Sequence, residues 1–185
     1  MITGDTIILR ELRKGDLVVI NRWRNVLQNK IIVQGFRGPV TIEIDATWLK
    51  VVLENKDNRD LYFGIEIKSS GKFVGIIQLN GIDYISGVAT CGILIGEKDD
   101  RGKEIGVDAV RAVLFYAFFI LNLRKVTTYI GAFNDQALKV QEKVGKITRE
   151  GCLKAHYLYN GEYVDVYIQS FFRIDYDFLK NEYTF

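Results

Sequence analysis

A chain of 185 residues is long enough for one domain that buries roughly 70% of the surface its unfolded form exposes, so it needs no metal or disulfide as a staple. Hydrophobic residues make up 48% and mean hydropathy is +0.04, the balance of an ordinary globular protein; 25 basic against 23 acidic side chains, spread along the whole length, leave no basic stripe for a phosphate backbone and exclude a nucleic-acid partner. Cys91 and Cys152 lack a CxxC partner and have apolar neighbours, which reads as buried thiols in a reducing cytosol and not as metal ligands.

The first ten residues, MITGDTIILR, lack a secretory pattern, and the longest apolar run, 112–121, is well short of the about 20 residues that cross a bilayer. The expectation is a cytoplasmic protein without membrane contact. Residues 6–10 alternate as a strand, and Lys14-Gly15-Asp16 turns the chain into a helix over 17–26. An irregular segment over 29–41 holds Gly35, Gly38 and the only proline, Pro39, and Asp45 is placed as the cap of a helix over 46–54. Apolar β-branched runs at 61–68 and 73–79, divided by Ser69-Ser70-Gly71-Lys72, predict an antiparallel hairpin, and 88–95 adds a third strand after Ser86-Gly87. Residues 107–121 are almost all apolar or aromatic, as in a helix buried on most of its circumference. A strand over 125–130 and a helix over 135–144 follow. After the Asn160-Gly161 turn, 163–172 is a final aromatic strand that offers a homodimer edge. This order implies one α+β domain over 1–185, of layered α/β type, with helices on both faces of a central sheet.

Residues 92–107 run from a strand through a polar glycine loop into the buried helix, an arrangement suited to an anion. The first turn of a helix leaves N–H groups unpaired at the positive end of the macrodipole, and Arg101 and Lys103 add charge beside them. Such a turn serves folding as readily as binding. However, Arg101-Gly102-Lys103-Glu104-Ile105-Gly106 resembles the (Gln/Arg)-x-x-Gly-x-(Gly/Ala) signature by which GNAT N-acetyltransferases hold the pyrophosphate of acetyl-CoA. It matches at Arg101 and Gly106 and departs at Glu104, where that family prefers glycine. Downstream, Asn134, Ala137, Glu142, Lys143 and Gly145 match the family's Asn-x-x-Ala/Ser helix that ends in Glu-Lys-x-Gly; without the family, Asn134 reads as a helix cap. Glu150-Gly151, the hairpin around Asn160-Gly161 and Trp23-Arg24-Asn25 are similar to the branch that holds ribosomal-protein N-terminal acetyltransferases and spermidine acetyltransferases. The resemblance covers nearly the whole chain.

That resemblance implies the GNAT fold, a mixed and mostly antiparallel sheet flanked by helices on both faces, and acetyl-CoA as cosubstrate without a metal. It also implies direct attack of a primary amine in a ternary complex. Ile93, Leu94 and Ile95 would hold pantetheine and the thioester carbonyl on a splayed strand. Arg101, Gly102, Lys103, Glu104, Ile105, Gly106 and Val107 would hold the pyrophosphate, and Asn134, Ala137 and Lys143 would flank the cofactor. The family's acid, a tyrosine, falls at Gln141, which leaves water, Tyr157 or Tyr159; its glutamate base falls at Thr90 or Cys91, which leaves Glu66, Asp83 or His156. Cys91 has no accompanying histidine or carboxylate pattern that would make it a nucleophile. Trp23 and Arg24 belong either to the acceptor pocket or to helix packing and surface. Asp165 either pairs an acceptor ammonium or is a surface charge. The sequence holds no dense acidic cluster, which disfavours spermidine against an amino sugar or a peptide N-terminus. Two other readings are a non-catalytic acyl-CoA-binding protein of the same fold and a plain interaction domain.

Overall fold

The apolar alternation of the N-terminal residues folds into β1 (Ile2–Thr3) and β2 (Ile7–Glu11), which pair antiparallel and bury Ile2, Ile7 and Leu9. The structure, a computed structural model, describes residues 1–33, 38–55 and 57–183. One turn of 3₁₀ helix leads into α1 (Leu17–Asn25), α2 (Leu27–Ile32) and, after the undescribed residues 34–37, α3 (Ile42–Glu54). Strands β3 (Leu61–Ile67), β4 (Phe73–Asp83) and β5 (Val88–Ile95) form the expected antiparallel meander. Then come α4 (Ile105–Phe115), prolonged by a π-type turn over Tyr116–Ile120, and β6 (Lys125–Gly131). The chain closes with α5 (Asp135–Val144), β7 (Thr148–Tyr159), β8 (Glu162–Phe172) and the short α6 (Leu179–Glu182).

Among the described residues eight strands join one sheet in the order β1-β2-β3-β4-β5-β6-β8-β7, antiparallel throughout except for the β5–β6 pair. Helix α4 lies on one face, where Ala109, Val113 and Leu114 are buried with Ile7, Leu9, Ile77 and Leu79 of the sheet. Each valine, leucine or isoleucine side chain of this layer taken out of water contributes about 1.5–3 kcal/mol, which makes it the main source of cohesion. A carboxylate fixes the helix against the sheet. Asp108 Oδ2 accepts from the Thr6 and Ile7 amides at 2.7 and 3.2 Å, and Oδ1 accepts from the Tyr183 hydroxyl at 2.8 Å. On the opposite face Leu12, Ile20 and Leu49 form a smaller cluster with Trp48, Tyr62 and Ile76, which seats α1 and α3.

Several expectations need correction. Residues 29–32 belong to α2 and not to a loop; of the remainder, Gly35 lies outside the described residues. Helix α3 begins at Ile42 under Thr41, whose hydroxyl accepts from the Ile44 amide at 3.4 Å. Asp45 is therefore no cap: it is fully buried, with Oδ2 accepting from Asn21 Nδ2 at 2.7 Å and Oδ1 paired with Arg24. Strand β7 reaches back to Thr148, well before the turn that announced it, because an edge strand with an irregular register near Ala155 shows little period-two alternation. Strand β8 runs between β6 and β7, so its aromatic residues cannot form a dimer edge; the edge belongs to β7. Cys152, expected buried, is exposed on that strand.

A candidate active site where two strands part

Strands β5 and β6 pair at only three positions, Val88 with Lys125, Ala89 with Val126 and Thr90 with Thr127. Beyond Thr90, β5 remains bonded to β4 as far as Ile95 and β6 to β8 as far as Gly131, so the two diverge. A cavity of about 460 Å³ fills the opening. From α5, the buried Gln141 donates Nε2 to Thr128 Oγ1 at 2.6 Å at the point of divergence. On β5 the Ile95 carbonyl faces the opening, where it accepts from Arg101 Nε and Nη2 at 3.0 and 2.9 Å. Strand alternation turns the N–H and C=O of Ile93 the same way.

One end of the cavity is lined by Gly106 of α4 and by Asn134, Ala137, Val140 and Gln141 at α5. Asn134 caps α5, its Oδ1 accepting from the Ala137 amide at 3.1 Å, so the cap and the cavity wall are one residue. Glu104 precedes α4 with a left-handed φ of 61°, and Gly102 has φ 77°. This conformation is costly for a residue with a Cβ and is the physical reason glycine suits that position. The Glu104 carboxylate turns outward to Lys143 Nζ at 2.5 Å, both side chains exposed, and only backbone is left at the helix entrance. Ile105 and Val107 bury their side chains in the core, and Lys103 is exposed with its Nζ 3.7 Å from Asp100. Arg101 also donates to Asn29 Oδ1 at 2.5 Å, and its desolvation holds its pKa below the ordinary guanidinium value.

The other end passes to the α1 and α3 face, where Ile20, Arg24, Trp48, Tyr62 and Ile76 line it. Trp23 is buried beside this wall and not in it. Its Nε1 donates to Glu97 Oε1 at 2.9 Å, its ring lies 4.9 Å from that of Phe73, and its face is against Gly96. Of the nominated catalytic groups, Tyr157 lines the cavity. Glu66 does not; it is ion-paired with Arg10 at 2.7 Å. Asp83 closes the β4–β5 turn by accepting from the Ile85 and Ser86 amides at 2.9 Å, and hydrogen bonds from Ser86 hold its carboxyl below the usual range. His156 is exposed with its ring 5.1 Å from Tyr157, and Tyr159 stacks on Phe133 at 4.0 Å. Asp165 binds Lys154 Nζ at 2.7 Å and the Ala155 amide at 3.0 Å. Cys91 lines the cavity with a thiol that burial pushes up to about 12, which keeps it protonated at neutral pH. Sequence reasoning missed Asn29, Trp48 and Tyr62. Asn29 bridges Trp23, Gly96 and Arg101 across the fold and leaves no local signal; the other two read only as apolar positions.

Residues 6–146 match the family model described as acetyltransferase (GNAT) domain. The chain belongs to the GNAT acetyltransferases. A spermidine N(1)-acetyltransferase of Vibrio cholerae is 29% identical over 160 residues, 85% of this chain and 88% of that protein. The crystal structure of spermidine N-acetyltransferase from V. cholerae in complex with CoA and spermine superposes with a TM-score of 0.83 at 25% identity, over 92% of this chain and 98% of that one. A dodecameric structure of the V. cholerae enzyme gives 0.76 at 28% identity, over 93% and 96%. The protein is thus an acetyl-CoA-dependent N-acetyltransferase of GNAT fold, and nothing in these likenesses supports a non-catalytic CoA-binding role. Among the described residues no helix is long and apolar enough to cross a membrane, and no cluster of ligands could hold a metal ion.

A strand edge without a ladder partner, the amides at the start of α4 and an apolar wall converge on the opening. Glu104 gives a direct check. Replacing it with glycine relieves a left-handed residue at about 1 kcal/mol and removes only an exposed ion pair, worth less than about 1 kcal/mol. The expected result is a variant at least as stable as wild type in urea denaturation. If a pyrophosphate binds at this helix entrance, the Kd for acetyl-CoA should tighten about threefold, as one carboxylate leaves its surroundings.

Proposed function

We propose that the chain, working as a single cytoplasmic domain, acetylates a primary amine by direct attack in a ternary complex: the acyl donor lies in the β5–β6 opening and the acceptor against the α1 and α3 wall. The observation that carries this reading is the continuity of the cavity, with Gly106 and Asn134 at one end and Arg24, Trp48 and Tyr62 at the other. Bound acetyl-CoA supplies a thioester carbonyl open to attack. The freed N–H groups of Ile93 and Ile95 hold the pantetheine arm and polarise that carbonyl, in a strand fixed before the reaction begins. The amides at the start of α4 carry the pyrophosphate, with Gly102 and Gly106 allowing its approach. Arg101 acts mainly by fixing the Ile95 carbonyl and Asn29, which keeps the strand end in place. Ala137 and Asn134 flank the arm. Lys143 balances Glu104 at the surface.

No His, Asp or Glu lines the cavity among the described residues, so the amine loses its proton to water. Three phenols line the cavity, Tyr62, Tyr129 and Tyr157; of these Tyr157, on β7, returns a proton to the departing thiolate. The relatives named for spermidine acetylation support an amine acceptor, and the dodecameric neighbour supports self-association of this chain. The test is thiol release from acetyl-CoA over a panel of amines, including an amino sugar, a peptide N-terminus and spermidine, with wild type and Tyr157→Phe. The expected result is turnover of at least one amine by wild type, and a kcat about a hundredfold lower in the variant at unchanged Kd for acetyl-CoA. Equal kcat in the two proteins would remove Tyr157 from the mechanism.

A further inference from the structure

Among the described residues the lining charge at the acceptor end is a single guanidinium, that of Arg24. Among the described residues every lining side chain is neutral or basic: Arg24 and Arg101 are present and no Asp or Glu is. The residues outside the described set, at 34–37, 56 and 184–185, include no acidic side chain either. Arg24 is held from behind. Asp45 on α3 is 0% exposed and takes the guanidinium at Oδ1, while Asn21 occupies Oδ2. The Arg24 side chain is 34% exposed, and its guanidinium carbon lies 5.5 Å from the centre of the Trp48 ring. A ligand therefore meets the open side of a fixed cation, with its counter-charge buried out of reach. Beside it Trp48 and Tyr62 stand edge to face at 5.5 Å, and Ile20 and Ile76 complete an apolar wall.

We infer that the acceptor is an anionic monoamine, carrying a carboxylate or phosphate that binds Arg24 and an apolar or aromatic stem that packs on Trp48 and Tyr62. The inference rests on the acetyltransferase reading given above. A polyamine needs carboxylates to receive its ammonium groups, and this wall would present a guanidinium to one of them. An anion meets there a planar donor already oriented by a buried carboxylate and an aromatic face.

The test is thiol release from acetyl-CoA with 4-(2-aminoethyl)benzoate, 2-phenylethylamine and spermidine, after calorimetry has established that acetyl-CoA binds. Wild type is expected to rank the benzoate first and spermidine last in kcat/KM. The variant is Arg24→Gln combined with Asp45→Asn, which removes the ion pair together and leaves no lone buried charge. In it the benzoate-to-phenylethylamine ratio of kcat/KM should fall about tenfold to a hundredfold, the worth of a hydrogen bond to a charged group. Spermidine should gain relative to both. Spermidine ranked first by wild type, no preference for the benzoate, or an unchanged ratio in the variant would overturn the assignment, as would a variant that loses acetyl-CoA binding. If acetyl-CoA fails to bind wild type, the acetyltransferase reading itself falls.

Discussion

Trp23→Ala is expected to lower the unfolding free energy by about 3–5 kcal/mol, the largest stability effect of any substitution near the site. The indole is 1% exposed and makes an unusually close approach: a Cβ added to Gly96 would meet its ring at 2.0 Å. Its Nε1 donates to Glu97, and the carbonyls of Trp23 and Gly96 both accept from Asn29 Nδ2, at 3.0 and 3.2 Å. One residue thus ties α1 to the end of β5 and the start of the loop that leads to α4. Removing it leaves a cavity of indole size, leaves Glu97 with Arg22 as its remaining partner, and frees the strand end that Arg101 also holds. Trp23→Phe keeps most of the packing and loses the hydrogen bond, so its cost should be about 1–2 kcal/mol. Urea denaturation followed by circular dichroism measures both; a loss below about 1 kcal/mol for the alanine variant would show that the wall is held from elsewhere.

The second large effect concerns binding. Gly106→Leu is expected to weaken acetyl-CoA binding about a hundredfold or more, ~2.7 kcal/mol, while Gly106→Ala stays close to wild type. A Cβ at this position meets Val140 methyl groups at 3.5 and 3.7 Å, ordinary van der Waals contacts, so alanine fits and gains helix propensity. Leucine must extend past Val140 into the cavity that Gly106 lines. Calorimetry reads the affinity and thermal melting reads the fold. A leucine variant that melts near wild type and still binds acetyl-CoA at wild-type strength would place the cofactor elsewhere.

The elements that carry strong local periodicity are legible in the sequence alone. The meander through β5, the buried α4 and the capped α5 have the predicted identities, because a sheet face and a helix stripe write themselves into the spacing of apolar residues. Helix α2 was hidden, since it lies just before Gly35, Gly38 and Pro39, whose turn signals dominate the window. Asp45 misled because a carboxylate ahead of an apolar run looks like a cap, whereas its partners Asn21 and Arg24 lie one turn apart on α1, more than twenty residues earlier in the chain. Arg101, Gly106 and Asn134, which lie in contiguous motifs, were nominated together by the sequence and line one cavity in the structure. Of the residues lining the α1 and α3 end the sequence nominated Arg24 alone; Trp48, Tyr62 and Ile76 come from three other elements and meet it only when the sheet folds. Nor could spacing show that β5 and β6 part after three paired positions.

The measurement that tests the account most directly is amide hydrogen exchange, resolved along the chain, with and without saturating acetyl-CoA. The opening between β5 and β6 leaves the amides of Ile93 and Ile95 without a strand partner on that side, and those at the start of α4 without a helical one. Bound acetyl-CoA should slow exchange in peptides spanning 91–96 and 101–107, by about tenfold or more, and leave the β7 edge over 148–153 unchanged. Binding without protection at 91–96 and 101–107, or protection confined to β7, would contradict the assignment of this cleft as the acyl-donor site.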